Sequence, residues 1–284
     1  MTRKKLFNSS TDHLTAERYG TAVPLGEPTF ETQVTCQLLN RRSHRDFRND
    51  RVCESTLTYL LACAQSAPSK SDLQQYSIIV VEEKELKAQI SQLPGIDDWV
   101  DKAPHLLVFC ADLRRGWRIT ESKGLVNENN TLDMLVNATG DAAIAMMSLI
   151  VAAESLGLGC CPISVVRNQI EQVSAWLKLP TGVYPFAGLG LGYPADEGKT
   201  TIRLPQSVVV HRNHYDDSHL LEQLHTYDNT RHRLTPIPAE KQLHPERYGI
   251  QPNLKWTDNV ACRLSVRERR TFRALLEQQN LALE

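Results

Sequence analysis

The chain has 284 residues and a mass of 32.0 kDa, and its 32 Lys and Arg against 33 Asp and Glu leave a net charge of −1. With 41% hydrophobic and 23% charged residues it has the make-up of an ordinary globular protein that can bury a large core. Near-neutrality argues against a general nucleic-acid binder, which carries a strong basic excess, but leaves room for a local basic site.

Taken in chain order, Met1-Thr2-Arg3-Lys4-Lys5 runs into polar residues, so no secretory signal is expected. Residues 1–35 are polar, contain Pro24, Gly26 and Pro28, and read as an N-terminal extension. Leu57, Leu60, Leu61 and Ala64 recur at i, i+3, i+4 and i+7, which predicts a helix over 54–66, ended by Pro68. Then come a strand at 76–81, a charged helix at 82–92, a strand at 106–110 and a polar loop at 113–130. The longest helix is expected over 132–158. Its polar residues Asn137, Asp141, Ser148 and Ser155 form one narrow stripe, and the rest is apolar. Such a helix is buried on nearly all sides and suits a position shared with a partner subunit. The longest apolar run within it, 142–153, is too short to span a bilayer. Asn168 with Glu171 reads as a capping box opening a helix to Lys178. Strands are expected at 183–193 and 207–211, helices at 220–227 and 265–279, and a Pro-rich connector at 234–254.

Several chemistries are disfavoured. The seven cysteines form no C-x-x-C pair, which argues against a disulfide framework or a structural zinc site. Cys160-Cys161 reads as two small apolar residues in a buried turn. Six of the nine histidines lie between His211 and His244, but no Cys or paired carboxylate completes a ligand set, so no metal is expected. There is no G-x-S-x-G elbow for a hydrolase. Gly157-x-Gly159 and Gly188-x-Gly190-x-Gly192 lack the strand–turn–helix setting of a dinucleotide fingerprint.

One segment stands out. Residues 40–51 carry Arg41, Arg42, Arg45, Arg48 and Arg51 against only Asp46 and Asp50. Guanidinium forks match the paired oxygens of a phosphate, and the Ser43 hydroxyl can complete such a clamp. A solvated charged loop is the plain alternative.

Arg41-Arg42-Ser43-His44-Arg45-Asp46-Phe47 resembles the opening motif of the nitroreductase family of flavin-dependent oxidoreductases, in its larger, NADPH-preferring subgroup. The 64–81 segment with its Ala67-Pro68-Ser69, the 152–159 helix end, the 187–196 strand with Arg203-Leu204-Pro205, Tyr227-Asp228 and Trp256-Thr257-Asp258 are similar to further family landmarks in the same order. The resemblance implies an α+β sandwich with a mostly antiparallel sheet. It implies a homodimer built on the long central helix, with FMN in a cleft between subunits. Carried over by residue, Arg41, Arg42, Ser43, Arg45 and Arg203 match the phosphate and ribityl grip. Ser69, Ser71 and Gln74 match flavin contacts. Ser164 and Val165 stand where relatives often place two glycines facing flavin N5, and Arg231 and Arg233 are candidates for the NADPH phosphate. Asp72 replaces a common Asn, and Thr201 replaces a second basic residue.

The implied activity is hydride transfer from NADPH or NADH through flavin N5 to a small acceptor such as a nitroaromatic or quinone. The alternatives are a flavin-binding biosynthetic dehydrogenase or enone reductase of the same family, and a non-enzymatic binder of phosphorylated ligands. The expected organisation is an extension at 1–35, an FMN-binding domain at 36–215 and a C-terminal helical extension at 216–284. The protein is expected in the cytoplasm, without membrane or nucleic-acid partners.

Overall fold

The computed structural model describes residues 11–23, 31–96, 98–279 and 281–282, so residues 1–10 and 24–30 of the expected extension lie outside it. In chain order the first elements are helices α1 (Thr11–Tyr19), α2 (Gln33–Asn40) and α3 (Glu54–Gln65), strand β1 (Tyr76–Val81), and helices α4 (Lys84–Ser91) and α5 (Trp99–Lys102). Strand β2 (His105–Asp112), helices α6 (Arg114–Ser122) and α7 (Leu132–Ser155), strand β3 (Gly159–Ile163), helix α8 (Ile170–Trp176) and strand β4 (Val183–Gly192) follow. The chain ends with α9 (Gln206–Val209), α10 (Leu220–Leu234), α11 (Pro245–Tyr248), α12 (Trp256–Leu264) and α13 (Phe272–Gln278). It divides into two compact units, Met1–Arg41 with Thr200–Glu268, and Arg42–Lys199 with Arg269–Glu284.

The second unit holds the sheet. Its order is β1-β2-β4-β3 and every pairing is antiparallel, so the fold is α+β as the resemblance implies. Strand β2 alternates with period 2. Leu107 and Phe109 join Leu189 and Leu191 against α3 and α7, where Leu60, Ala145 and Leu149 are buried. Leu106, Val108 and Cys110 face the other way, towards Ile90, Trp99, Val100 and Val173. Burial on both faces is why 106–110 reads as an unbroken apolar run. The β4 glycines serve this packing. A Cβ at Gly190 would lie 2.6 Å from the Trp99 ring, and one at Gly192 2.5 Å from Pro104. Cys160 and Cys161 are buried in β3 rather than in a turn.

The first unit is helical. Leu14, Thr15 and Arg18 of α1 and Cys36 and Gln37 of α2 are buried. Tyr227 of α10 meets Trp256 of α12 edge-on at 5.3 Å. Buried Asp228 accepts hydrogen bonds from the N–H (3.1 Å) and the hydroxyl of Thr257, which fixes the start of α12. The Tyr-Asp and Trp-Thr-Asp landmarks are thus one helix–helix joint.

Several expectations are corrected. The 113–130 loop contains α6, which buries no residue and so leaves no apolar stripe to read. The strand at 207–211 is instead a helical turn after Pro205, with Val209 and Val210 exposed and no sheet edge to pair with. The helix expected at 265–279 shortens to α13: residues 265–271 are not helical, Arg269 among them has φ +52°, and α12, which the sequence reading did not place, ends before them at Leu264. Asn168 caps nothing with its side chain. A 3-10 turn at Val165–Arg167 intervenes, and α8 begins at Ile170. Helix α10 continues to Leu234, and the connector after it contains α11. The central helix reaches 24 residues because Asn137, Asp141 and Ser148, which break its apolar run, lie inside it. By length and composition it is long enough to cross a membrane, although its buried face belongs to the core.

Candidate functional site

In the second unit, the arginine-rich segment is laid along the ends of two strands. The His44 N–H donates to the Cys160 carbonyl (3.1 Å), Arg48 N–H to Tyr193 (2.9 Å) and Ala195 N–H to Asp46 (3.0 Å). Phe47 is buried and stacks at 6.1 Å on Trp99. These ties fix the backbone from 44 to 48 and with it the side chains between. Arg42 lies across Gly198, whose φ is +64° and whose Cβ would meet the Arg42 stem at 3.1 Å. Its guanidinium donates to the Glu197 carbonyl (3.1 Å). Arg48 sits over the Tyr193 ring and pairs with Asp50. Among the described residues, nothing hydrogen-bonds the side chains of Ser43 and Arg45, and Arg45 is exposed. Burial lowers the pKa of His44, only partly offset by Asp196 at 3.8 Å, so the imidazole is neutral at pH 7 and the cations here are arginines.

The 69–77 segment is unusual backbone. Ser71, Asp72 and Gln74 all have φ near +50° without being glycine. Such conformations cost of order 1 kcal/mol each and persist only when their surroundings impose them. Two side chains do so. Asp141 of α7, 3% exposed, accepts the Lys70 N–H at 2.8 Å and the Gln75 N–H at 3.0 Å. Arg115 of α6 donates to the carbonyls of Gln74 and Tyr76 (3.0 Å for the latter) and pairs with Asp112 at 3.3 Å. Inside the loop, Ser69 Oγ accepts the Gln74 N–H (3.3 Å), and the Gln74 amide donates to Asp72 (3.2 Å).

Ser164 and Val165 open the 3-10 turn after β3. Ser164 Oγ accepts from Arg269 Nη2 (3.1 Å), and Asn168 Oδ1 from Arg269 Nε (3.2 Å). Arg167 donates to the Phe186 carbonyl and lies over its ring. Burial lowers its pKa, and the nearby Arg269 charge acts in the same direction.

The first unit carries Arg41, Arg203, Arg231 and Arg233. Arg203 and Arg231 line one cavity of about 520 Å³, walled by Tyr19, Tyr227 and Trp256. Arg231 reaches the Tyr227 hydroxyl at 3.5 Å. Arg233 is exposed and does not line that cavity, so the structure does not bring the two candidates for the NADPH phosphate together.

Sequence reading missed Asp141, Arg115 and Arg269 as organisers. Asp141 was visible as the only carboxylate between Asp133 and Glu154 in the central helix, a pattern that signals a paired buried charge. Arg269 left no signal because its partners lie far away in the chain, and Arg115 left none beyond its neighbour Asp112, because the loop atoms it holds are backbone carbonyls.

Family models agree with this architecture. "Nitroreductase family" matches residues 38–96 and 91–193, and "Nitroreductase family, C-terminal domain" matches 202–284. The chain belongs to the nitroreductase family. It is 33% identical to an FMN reductase [NAD(P)H] of Bacillus subtilis over 258 residues, covering 89% of this chain and 99% of that protein. It is 38% identical to an oxygen-insensitive NADPH nitroreductase of Salmonella typhimurium, covering 72% of this chain and 84% of that protein. The solved structure of B. megaterium NfrA2 superposes with a TM-score of 0.81 at 31% identity, over 89% of this chain and all of that one. The NADPH:FMN oxidoreductase of Vibrio harveyi complexed with NAD+ gives 0.78 at 26%, again over 89% of this chain and all of that one.

Proposed function

We propose that this chain, an FMN-dependent NAD(P)H oxidoreductase, serves a small acceptor such as a nitroaromatic or a quinone. FMN, when bound, would supply the redox chemistry that moves a hydride equivalent from NAD(P)H to the acceptor.

The observation that carries the reading is the state of the 42–45 segment. Its backbone is tied to β3 at His44 and, just beyond, Asp46 and Arg48 are tied to the residues that follow β4, yet the Ser43 hydroxyl and the Arg45 guanidinium have no partner among the described residues. A hydroxyl and cationic forks on a fixed backbone are the donor set a phosphate monoester needs, so these residues fit the FMN phosphate. In the second unit Arg42, Ser43 and Arg45 would hold phosphate and ribityl oxygens. In the first unit Arg41 and Arg203 would do the same. Ser69, Ser71 and Gln74 would orient the flavin from a loop whose shape Asp141 and Arg115 impose. Ser164 and Val165, at the start of a helical turn where N–H groups lack partners within the turn, would face N5. Arg231 and Arg233 are proposed for the NADPH phosphate. Of these, Arg231 has the stronger support, since it lines a cavity with aromatic walls.

The exposed face of α7 supports a homodimer. Val136 and Ile144 are 62% and 43% exposed there, and a Cβ on Gly140, between them, would meet nothing within 4 Å. The seven free cysteines support a reducing, cytoplasmic setting.

The purified protein should be yellow and should be bleached by NADPH, with steady-state oxidation in the presence of a quinone or nitrofuran. A protein that stays colourless and takes up no FMN would overturn the reading. Arg45→Ala should weaken FMN binding about tenfold, as expected for loss of one charge-assisted contact.

A further inference from the structure

We propose that Arg18, on the helix ahead of the family-matched segment, is a positioning residue for Arg41 and Arg203, the first unit's candidates for the FMN phosphate. The inference rests on the assignment of Arg41 and Arg203 to that phosphate. The family-model match begins at residue 38, downstream of α1.

Arg18 is 6% exposed, and its charged head is spent on main-chain oxygens. Nε and Nη2 donate to the Leu39 carbonyl at 3.0 and 2.6 Å, Nη2 also donates to the Arg41 carbonyl, and Nη1 donates to the Thr201 carbonyl at 3.1 Å. The Arg18 carbonyl in turn accepts the Arg203 N–H at 2.8 Å. One residue therefore ties down the backbone at Arg41 and at Arg203, which are distant in the chain. Leu39 and Arg41 lie at the C-terminal end of α2, where unpaired carbonyls and the helix dipole favour a cation. A guanidinium fork can bridge carbonyls from two segments at once, whereas an ammonium is a point charge without that geometry.

The helix that presents Arg18 is itself held in place. Gly20, just past its end, has φ +71°, and a Cβ there would stand 2.9 Å from Thr230 and 3.1 Å from Leu234 of α10. Only glycine fits that conformation and that gap. Leu14 and Thr15 are buried on the same helix. With both ends of the tie anchored, Arg41 and Arg203 start from fixed backbone positions, and less ordering entropy is lost when they meet an anion.

The test uses the full-length protein stripped of flavin and titrated with FMN and with riboflavin, which lacks the phosphate. The wild type should prefer FMN. Arg18→Ala should lose about tenfold in FMN affinity while riboflavin affinity stays unchanged. If Arg18→Ala does not fold, Arg18→Lys carries the test. It keeps a cation but not the fork, and it should narrow the FMN preference in the same way. A folded variant that keeps the full wild-type preference overturns the proposal, as does one that loses FMN and riboflavin affinity equally. A wild type with no preference for FMN over riboflavin overturns the phosphate assignment itself, and the role of Arg18 with it.

Discussion

Asp141 shows how one side chain converts fold into site. Its two oxygens satisfy two backbone N–H groups of a loop with three left-handed residues, from inside the core. Asp141→Ala leaves the buried Gln75 N–H and the part-buried Lys70 N–H without that acceptor, and hydrogen bonds to charged groups contribute about 1.5–3 kcal/mol each. The variant should lose about 3 kcal/mol or more in urea unfolding, and Asp141→Asn, which keeps one acceptor oxygen, should lose less. Cys53 offers a second test at this scale. The Ser55 hydroxyl at 3.3 Å, and then the hydroxyl and backbone N–H of Thr56, the former at 3.0 Å, lower its thiol pKa to about 7, while burial raises Cys110 to about 12. The thiolate is the reactive form. Iodoacetamide at pH 7 should therefore label Cys53 well before Cys110, read by peptide mass spectrometry, and Thr56→Val should slow the labelling of Cys53.

Elements were legible in proportion to how much they bury. Helix α3 and strands β1 and β2 are near their expected positions, because α3 shows its core face as a helical period and the two strands show as short apolar runs. Helix α6 was invisible because it buries no residue fully, and the non-helical stretch ahead of α13 was invisible because Arg269 there is held by Ser164 and Asn168, about a hundred residues away in the chain. The central helix was legible as an element but not in the use of its faces. Its stripe carries the buried Asp141, while apolar Val136 and Ile144 face out. Placing a charge on that outward face should break the proposed homodimer without disturbing the core. Val136→Asp with Ile144→Asp should give a monomer by light scattering, with an unchanged far-UV spectrum.

For the molecule as a whole, two histidines of the second unit set a pH dependence. Burial lowers the pKa of both His44 and His105. The folded state therefore holds neutral imidazoles where the unfolded chain, with ordinary values of about 6.5, takes up protons. Their contribution to stability is complete above about pH 6.5 and is lost as the pH falls through the lowered folded values. The melting temperature should drop between pH 7.5 and pH 5, and the double variant His44→Asn/His105→Asn should flatten that slope.

The order of the motifs, the cationic run at 41–51 and the long central helix were determined by the sequence alone, since each is a local pattern of residue type and spacing. Membership of the family could be read from these. Which arginines remain available was decided only by tertiary structure. Arg48 is spent on Tyr193 and Asp50, Arg42 lies across Gly198, and Arg45 stays open. The same holds for the residues that position the rest. Arg18 and Thr201 are 183 positions apart, Ser164 and Arg269 105, and Lys70 and Asp141 71. Their partners are largely backbone atoms, which every residue carries, so no sequence pattern marks them until the chain has folded.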